Sequence, residues 1–456
     1  MSAPGSSSLD QRSLDELPDV KVPPPGPRSR ELAARLQAVE SPAFEARRDA
    51  RARSSGAEQA PIAYAHGRGS NVVDVDGNRY VDLTAGFGAL VLGHGPNVAL
   101  DAARKAMEDL PLALGDVYAS ELKVRACEAI AAVFPEPGAR VMLGLSGADA
   151  VTCALKTAAL ATKKMGVVAF EGAYHGLSYG PLAACGLAPS FREPFEGQLG
   201  VKVTFAPYPS RDDPRGASTA LDETLSAIRA ALASGEIGAV LVEPMLGRGG
   251  CVVPPAAFLP ALRSLSDEAG ALLVLDEIWT GIGRSGAMLA SEHAGVVGDV
   301  ICLGKGLGAG VPISACVGRA HVMDAWGAHG GSTIHTGTHF GSPPACAAAL
   351  ATLDAVRAGL ATRAGEIGAK WSEQLASAGA ASKVKWTVSG RGLMVGLRFE
   401  DGPRALATAR ALLERGYIVL TGGVRGDTVT LSPPLTIAPE LLSAFVDALS
   451  ACTLVD

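Results

Sequence analysis

Between Val141 and Ser314 the chain repeats one pattern, in which a short, uninterrupted apolar run is followed in most cases by a stretch long enough for a helix. The apolar runs read VMLGL, VVAF, VKVTFA, AVLVEP, ALLVLDE and VICLG. Such runs are typical of strands buried on both faces, as in a parallel sheet covered by helices on both sides. The sequence therefore predicts an α/β fold with a mostly parallel central sheet, and ligands should bind beyond the carboxyl ends of its strands.

The rest of the chain differs from this region in composition. Residues 1–30 are rich in Ser, Pro and charge, and we expect a disordered or loosely packed tail there. Residues 31–100 form an N-terminal segment that joins a smaller domain, and the sequence DGN within it predicts a β-hairpin. Residues 101–342 form the large domain, and residues 343–456 form a small α+β domain that begins with an Ala-rich helix.

Charge and cysteine usage exclude several classes of function. The 456-residue chain has a net charge of −6 and no long basic run, which argues against nucleic acid or an anionic membrane as the main partner. No membrane-spanning helix is expected, and the opening MSAPGSSSLD lacks the basic start and apolar block of a signal peptide. The eight cysteines form no CxxC pair and the histidines lack ligand spacing, so we predict no disulfides, no metal site and a cytoplasmic location.

One acidic residue is unusual for the end of a strand that should be buried on both faces. The run LLVLD ends on Asp276, at the carboxyl end of a strand that should be buried on both faces. An unpaired carboxylate there would cost several kcal/mol, so it needs a cation nearby. Two partners are open, an arginine in a salt bridge or the cation of a bound ligand.

Other strand ends favour a ligand. After VMLGL, the small residues Ser146, Gly147 and Ala148 leave the amides of a helix start unobstructed, and such amides attract phosphate. After VVAF, Tyr174 and His175 supply rings that can stack on a flat ligand. Each signal is weak alone, because small residues are common in strand-helix turns and a tyrosine is more often a core residue.

The third strand end is the most informative. Lys305 stands between glycines directly after VICL, where partial desolvation should lower its pKa and free its amine to attack carbonyls. A phosphate site, a stacking ring, an acid for a buried cation and a nucleophilic lysine together predict pyridoxal 5′-phosphate. The cofactor's aldehyde forms a Schiff base with a lysine, and Asp276 would pair with its protonated ring nitrogen.

The motifs around these residues resemble those of the class III aminotransferases, which belong to fold-type I of the pyridoxal-phosphate enzymes. The resemblance runs from about Tyr64 to the C-terminus. It rests on DVDGNRYVDLTAGFGALVLGH, SGADAV, AYHG, DEIWTGIGRSG and THFGSPPACAAAL. It implies transfer of an amino group from an amine or amino acid to a 2-oxo acid or aldehyde, by a ping-pong mechanism in a homodimer with active sites at the interface.

The resemblance also implies roles for individual residues. Lys305 is the Schiff-base lysine and moves the proton as general base and acid. Asp276 is the partner of the ring nitrogen, Tyr174 lies over the ring and Ile278 lies under it. Thr338 would reach the cofactor phosphate of the neighbouring subunit. Glu243, at the end of AVLVE, is expected close behind the cofactor.

Three departures from the family pattern concern the substrate. In EPMLGRGG, Leu246 replaces the usual Gln and Arg248 replaces a Glu, while in DTVTLSPPL Thr430 replaces the Arg that pairs with that Glu. We therefore expect the acceptor carboxylate to bind Arg248 or Arg425 instead, since Arg pairs well with carboxylates. Trp279 replaces a Gln near the ring and makes the site more apolar.

Two other functions remain open from the sequence. An aminomutase of the glutamate-1-semialdehyde type would use the same fold, although TGIGRSG is closer to the transferases. A binding protein without catalytic activity would have no need of both Lys305 and Asp276. A dinucleotide-binding domain is excluded, because no GxGxxG opens a helix after a strand.

Overall fold

The computed structural model describes residues 15–55, 59–95, 97–328 and 331–452. Its strands are β1 (Tyr64–Arg68), β2 (Asn71–Asp74), β3 (Arg79–Asp82), β4 (Arg140–Gly144), β5 (Gly166–Phe170), β6 (Val203–Ala206), β7 (Ile237–Val242), β8 (Leu272–Asp276), β9 (Val300–Leu303), β10 (Ser314–Gly318), β11 (Thr387–Arg391), β12 (Met394–Arg398), β13 (Tyr417–Ile418), β14 (Leu420–Gly422) and β15 (Thr428–Leu431). Its α-helices are α1 (Pro27–Gln37), α2 (Pro42–Ser55), α3 (Ala85–Gly88), α4 (Val98–Asp109), α5 (Glu121–Ala131), α6 (Gly147–Thr162), α7 (Tyr179–Ala183), α8 (Ala217–Leu232), α9 (Phe258–Ala269), α10 (Ala320–Met323), α11 (Pro343–Ala355), α12 (Ala361–Ala381), α13 (Gly402–Glu414) and α14 (Pro439–Cys452).

The central sheet has seven strands in the order β4-β10-β9-β8-β7-β5-β6. All six apolar runs of the sequence are strands of this sheet, and they run parallel to one another. The seventh strand, β10, is antiparallel to both of its neighbours and was not predicted. It follows β9 after a short 3-10 turn rather than a helix, so the strand-helix pattern gave no sign of it.

Both faces of this sheet are buried. Along β8, Leu273 and Leu275 belong to one apolar cluster and Val274 belongs to a second cluster. Because successive side chains of a strand point to opposite faces, this alternation shows that helices cover both sides. Helix α6 packs across β4, β7, β8, β9 and β10, and helix α9 packs on β7 and β8. The predicted α/β class, with a mostly parallel sheet, is confirmed.

Two smaller sheets are formed by strands that precede and follow the large sheet in the chain. Strands β11, β12, β15 and β14 form an antiparallel sheet, and β1, β2 and β3 form a second sheet with β13. The predicted hairpin is β2 and β3, and the carboxylate of Asp74 accepts the N–H groups of Asp76 and Asn78 in its turn. Strand β13 pairs in parallel with β3, which joins the N-terminal segment to the C-terminal region. The domain limits at residues 30, 100 and 342 stay a prediction.

The second half of the expected tail packs on this hairpin. Asp19 and Arg79 exchange two backbone hydrogen bonds of 2.9 Å, and the side chain of Asn78 accepts the N–H groups of Lys21 and Val22. Ser29 is fully buried. Polar groups of residues 19–22 therefore form hydrogen bonds with the hairpin. Residues 1–14 lie outside the described residues.

One helical span among the described residues, Pro343–Ala381, is long and apolar enough by composition to cross a membrane. The sequence analysis did not anticipate such a span. Its first part, α11, packs against α4 and α5, and Cys346, Ala348 and Leu353 are fully buried in the largest apolar cluster. The apolar composition of this span is therefore that of a core helix.

Candidate active site

The parallel strands bring the predicted residues to one edge of the sheet. Strands β9, β8, β7 and β5 are consecutive neighbours, so their carboxyl ends lie side by side. The residues at or just beyond these ends are Lys305, Asp276, Glu243, Tyr174 and His175, and Ser146 follows β4 at the same edge. Five separate motifs thus meet beyond the carboxyl ends of the sheet, where ligands of α/β proteins bind.

Asp276 has a partner within the chain, and that partner is a histidine. Its Oδ2 atom lies 2.7 Å from Nδ1 of His175, and its Oδ1 atom accepts the N–H of Ile278 at 3.1 Å. Burial alone would lower the pKa of His175, but the hydrogen bond and charge of Asp276 raise that pKa above its usual value. No arginine pairs with Asp276 in the part of the chain that the structure describes. A carboxylate can accept about four hydrogen bonds, so Asp276 can take a further donor.

Lys305 lies in the short turn after β9, and its backbone φ of 41° is in the left-handed region. Its Nζ atom is 4.2 Å from the centroid of the Trp279 ring. Burial lowers the pKa of Lys305 to about 8, although the nearby charges of Asp276 and Glu243 act in the opposite direction. Roughly a tenth of such a lysine is neutral at pH 7. The lowered pKa has the direction that the sequence analysis expected, and the role of Lys305 stays a prediction.

The helix start after β4 is a capped turn with free amides. Helix α6 begins at Gly147, where Ser146 and Asp149 exchange side-chain and backbone hydrogen bonds in a capping box. Among the described residues, the N–H groups of Gly147 and Ala148 have no acceptor. A Cβ atom on Gly147 would lie 2.8 Å from Cδ1 of Ile278, so a larger residue there would have to displace the Ile278 side chain. The turn therefore offers two amide donors at the positive end of a long helix.

Glu243 holds two loops of the site together. Its Oε1 atom accepts the N–H of Tyr174 at 2.8 Å, and its Oε2 atom accepts the N–H of Gly247 at 2.9 Å. Burial raises the pKa of Glu243 to about 7. The Arg248 guanidinium, one residue after Gly247, lies 4.5 Å from the centroid of the Tyr174 ring. Glu243 thus fixes the backbone at Tyr174 and the loop that carries Arg248.

A cavity of about 670 Å³ opens beside these residues. Trp279, Arg248 and Thr430 line it. The Trp279 ring is held between two glycines, because a Cβ atom on Gly88 would lie 2.4 Å from its Nε1 atom and one on Gly247 would lie 2.5 Å from Cε3. Nε1 of Trp279 is buried, and among the described residues it has no acceptor.

Two predicted residues lie apart from this group. The guanidinium of Arg425 pairs with Asp427 at 2.7 Å and does not line the cavity, and its side chain is 70% exposed. Thr338 lies in an exposed turn and hydrogen-bonds to none of the residues above. The structure therefore brings Arg248 and Trp279 to the cavity but not Arg425.

Sequence reasoning missed the side chains that helix α2 contributes to the cavity. Arg47, Arg48 and Arg51 all line it, and Phe44 stands near them. The run EARRDARAR was the available signal, since it spaces these arginines along one helix.

The buried residues that follow Asp276 hold the surrounding loops. Glu277 accepts the N–H groups of Ala290 at 3.0 Å and Ser291 at 2.8 Å. Arg284 is 1% exposed and donates to the carbonyl of Leu393 at 3.0 Å. Burial lowers the pKa of Arg284 to about 9. Glu277 and Arg284 therefore hold the loops that surround Asp276.

Comparison with known families identifies the family to which this chain belongs. The family described as "Aminotransferase class-III" matches residues 52–453. The chain belongs to the class III aminotransferases. Enzymes of this family use pyridoxal phosphate, so the predicted cofactor is confirmed.

Individual relatives agree with this assignment. An acetylornithine aminotransferase of Methanopyrus kandleri is 36% identical over 86% of this chain and 95% of its own length. A 4-aminobutyrate aminotransferase of Mycobacterium leprae is 34% identical over 93% of this chain and 96% of its own. These named relatives support the aminotransferase over the aminomutase that the sequence had left open.

Solved structures give the same result for the fold. An amine transaminase from an uncultivated Pseudomonas species, solved with pyridoxal phosphate bound, superposes with a TM-score of 0.79 at 30% identity and covers 86% of this chain and 94% of that one. An (S)-enantioselective ω-transaminase from Thermomicrobium roseum gives a TM-score of 0.83 at 26% identity and covers 94% of this chain and 99% of that one. The class III aminotransferase shares the fold-type I architecture of these enzymes.

The residues at the sheet edge fit the cofactor. The free amides of Gly147 and Ala148 suit a phosphate, and the buried carboxylate of Asp276 suits a protonated ring nitrogen. The amine of Lys305, with its lowered pKa, suits an aldehyde. Across the described residues no cluster of metal-binding side chains competes with this assignment.

Proposed function

We propose that Lys305 is the residue that binds the aldehyde of pyridoxal phosphate and then transfers the proton at the substrate carbon. Bound pyridoxal phosphate supplies an electrophilic carbon and a ring that takes up an electron pair. The proposal is supported by the position of Lys305 next to Asp276 at the ends of adjacent strands. An amine with a pKa of about 8 can both release and accept a proton near neutral pH, which suits a general base that later acts as the acid.

We further propose that Asp276 binds the ring nitrogen and that His175 is a positioning residue. The bond from His175 Nδ1 fixes one carboxylate oxygen, and the N–H of Ile278 holds the other. A carboxylate held in this way keeps its orientation when it receives a third donor. Ile278 would then pack against one face of the ring, and the Tyr174 ring would lie against the other.

For the phosphate we propose the turn that starts helix α6. Gly147 and Ala148 would bind the phosphate through their backbone amides, and Ser146 would contribute its hydroxyl, because its own N–H donates to Asp149. A second contact would come from Thr338 of the partner subunit, in a homodimer with shared active sites. The cytoplasmic location that we also propose is supported by the eight cysteines, all of which are free thiols.

The substrates are proposed to be amines or amino acids as donors and 2-oxo acids or aldehydes as acceptors. Arg248 lines the cavity, and its guanidinium would pair with the acceptor carboxylate. Arg425 is the weaker of the two candidates, because it is paired with Asp427 away from the cavity. Trp279 adds apolar surface to this cavity, which favours donors with an apolar body over small dicarboxylic acids. Leu246 does not contribute to this surface, because it is buried and does not line the cavity.

A spectroscopic experiment tests the assignment of Lys305. Wild-type protein loaded with pyridoxal phosphate and freed of excess cofactor should show an absorption band shifted from that of the free aldehyde, and should lose that band when an amine donor is added. Lys305→Ala should bind the cofactor with the absorption of the free aldehyde, and Lys202→Ala should behave as wild type, because Lys202 is an exposed residue paired with Glu236. The proposal fails if Lys305→Ala keeps the wild-type spectrum and half-reaction rate.

A kinetic comparison tests the acceptor site. Arg248→Ala should raise the KM for 2-oxo acids about tenfold or more, since a charge-assisted pair contributes roughly 1.5–3 kcal/mol. Arg425→Ala is the matched control and should leave that KM unchanged. An unchanged KM in Arg248→Ala would remove Arg248 from the acceptor site.

A further inference from the structure

A second cavity, of about 70 Å³, lies outside the candidate active site. It is lined by the loop after β7, the start of helix α9, the turn at Ser285, the short 3-10 helix that contains His293, and the end of β11. Neither Lys305 nor Asp276 lines it. This second cavity therefore lies between segments of the large sheet and Arg391, which ends a strand of the C-terminal antiparallel sheet.

The ionisable side chains of the second cavity are all basic. They belong to Arg391 and His293, and no Asp or Glu lines this cavity among the residues that the structure describes. Burial, and then the charge of Arg211, lower the pKa of Arg391. Within the described chain the Arg391 guanidinium has no hydrogen-bond acceptor and no ion-pair partner. A concave site with positive charge and no counter-charge attracts an anion.

His293 can offer a second donor at lower pH. Its Nε2 atom lies 3.1 Å from the carbonyl oxygen of Ser285, so Nε2 donates its proton there and Nδ1 is the nitrogen that can gain one. Burial and the charge of Arg391 lower the pKa of His293, while the bond to Ser285 and the charge of Glu292 act in the opposite direction. An anion beside the ring would favour the protonated form.

Two buried donors at the second cavity lack an acceptor in the described part of the chain. Ser285 is 2% exposed, and its hydroxyl has no hydrogen-bond partner. Leu259 is buried in the first turn of α9, and its N–H has no acceptor either. The positive end of the dipole of this 12-residue helix lies at the same place. Since Ser285 and Leu259 both line the second cavity, a ligand with several acceptor atoms can bind both donors.

The size of the second cavity limits the ligand. A water molecule occupies about 30 Å³ of liquid, so about 70 Å³ holds roughly two water molecules or one compact ion. Donors from a guanidinium, an imidazole, a hydroxyl and a backbone amide suit an ion with several oxygen atoms. An ester that carries a bulky organic group would be too large.

We propose that the second cavity is a binding site for a free inorganic oxyanion of the phosphate or sulfate class, held by Arg391, His293 and Ser285. The N–H of Leu259 would donate to the same ion. The ion would connect the segments around α9 and Ser285 to the C-terminal sheet, so its binding should stabilise the folded chain. This site is separate from the turn proposed for the cofactor phosphate, and the inference does not depend on the proposed function of Lys305.

Titration calorimetry of the holoenzyme with inorganic phosphate tests the site. The cofactor has to be bound, because apoprotein would also take up phosphate at the amides of Gly147 and Ala148. Wild type should bind phosphate, and Arg391→Gln and Ser285→Ala should each weaken that binding about tenfold or more. Arg404→Gln is the matched control and should bind as wild type, since Arg404 is exposed and does not line the second cavity.

Thermal unfolding at constant ionic strength separates binding from a structural role. Phosphate should raise the Tm of the wild-type holoenzyme and of Arg404→Gln but not that of Arg391→Gln. Ser285→Ala removes a buried hydroxyl without a partner, so its Tm without phosphate should equal or exceed that of wild type. A lower Tm for Ser285→Ala together with unchanged phosphate affinity would show that the hydroxyl is structural and would contradict the proposal.

The pH dependence of sulfate binding tests the role of His293. Sulfate keeps its charge between about pH 5 and 8, so a change in its affinity over this range comes from the protein. The charged groups that act on His293 are Arg391 and Glu292. Wild-type affinity for sulfate should fall as the pH rises, because the imidazole loses its second N–H, and His293→Gln should lack this dependence.

Phenyl phosphate distinguishes a free ion from the phosphoryl group of a larger molecule. It should bind the holoenzyme at least about tenfold more weakly than inorganic phosphate, because the second cavity has no room for the ring. The proposal is overturned if neither phosphate nor sulfate binds the holoenzyme, or if Arg391→Gln and Ser285→Ala bind them as wild type does. It is also overturned if phenyl phosphate binds as tightly as inorganic phosphate.

Discussion

Replacing Asp276 with asparagine removes one charge from the site and nearly preserves the shape of the side chain. In the wild type, Oδ2 of Asp276 lies 2.7 Å from Nδ1 of His175, and both side chains are buried. A hydrogen bond to a charged group contributes about 1.5–3 kcal/mol, compared with roughly 0.5–1.5 kcal/mol for a neutral one. The contact with His175 should therefore weaken by about 1 kcal/mol, and without the carboxylate the pKa of His175 should fall because of its burial.

The larger effect concerns the protonated ring nitrogen of pyridoxal phosphate, which we propose that Asp276 binds. Two unit charges 4 Å apart attract each other by about 4 kcal/mol at an effective dielectric constant of about 20. Part of that attraction is offset by the cost of burying the charges, so we expect a loss of about 2–4 kcal/mol in transition-state stabilisation. This loss corresponds to a half-reaction that is about 30- to 1,000-fold slower.

Single-turnover kinetics with an amine donor measure this effect directly. Asp299→Asn is the matched control, because Asp299 is equally buried but pairs with Arg263 and Arg319 at the opposite end of β9. It should lose stability and keep the half-reaction rate. The reasoning is refuted if Asp276→Asn stays within about threefold of the wild-type rate.

Three further predictions concern the same edge of the sheet. The rate at which apoprotein takes up pyridoxal phosphate should rise with pH and level off above about pH 8, because the neutral amine of Lys305 reacts and its pKa is lowered to about 8; a rate still rising at pH 10 contradicts this assignment. Gly147→Ala should weaken cofactor binding about tenfold or more, measured by equilibrium titration, because its Cβ would lie 2.8 Å from Cδ1 of Ile278 and force Ile278 or the turn to move, whereas Gly200→Ala, in open space, should not change cofactor affinity. Glu243→Gln should lower the free energy of unfolding by about 1–3 kcal/mol, since an amide cannot accept both N–H groups that the carboxylate accepts, and denaturant titration that shows no loss would contradict it. Because burial raises the pKa of Glu243 to about 7, the free energy of unfolding of the wild type should fall as the pH rises from about 4.5 through 7. The Gln variant should lack this pH dependence.

The parallel strands of the large sheet were predictable because burial on both faces leaves an uninterrupted apolar run in the sequence. Strand β10 was not, because it follows β9 without a helix and its residues merge with a glycine-rich loop. Residues 15–30 were expected to be disordered or loosely packed from composition, and hydrogen bonds to Asn71, Asp76 and Asn78 hold them instead. Composition shows how polar a segment is, but it does not show which distant residues form hydrogen bonds with that segment.

Part of the candidate active site could be predicted from the sequence for a similar reason. Parallel strand ends share one edge, so the neighbourhood of Lys305 and Asp276 followed from the fold class. The histidine that faces Asp276 could not be deduced as its partner, since 101 positions separate the two residues. The sequence also could not show which of Arg248 and Arg425 lines the cavity. That depends on the ion pair of Arg425 with Asp427 and on which loops form the cavity wall. The arginines of α2 were overlooked because the helix has no strong apolar face to mark it.

The pairing of β13 with β3 has a consequence for synthesis on the ribosome. The hairpin of β2 and β3 precedes the large sheet in the chain, yet the strand that completes the hairpin's own sheet, Tyr417–Ile418, follows the large sheet. Until that strand has been synthesised, the outer edge of β3 has unpaired N–H and C=O groups that can pair with other nascent chains. Slow elongation between the hairpin and Tyr417 should lengthen that exposure.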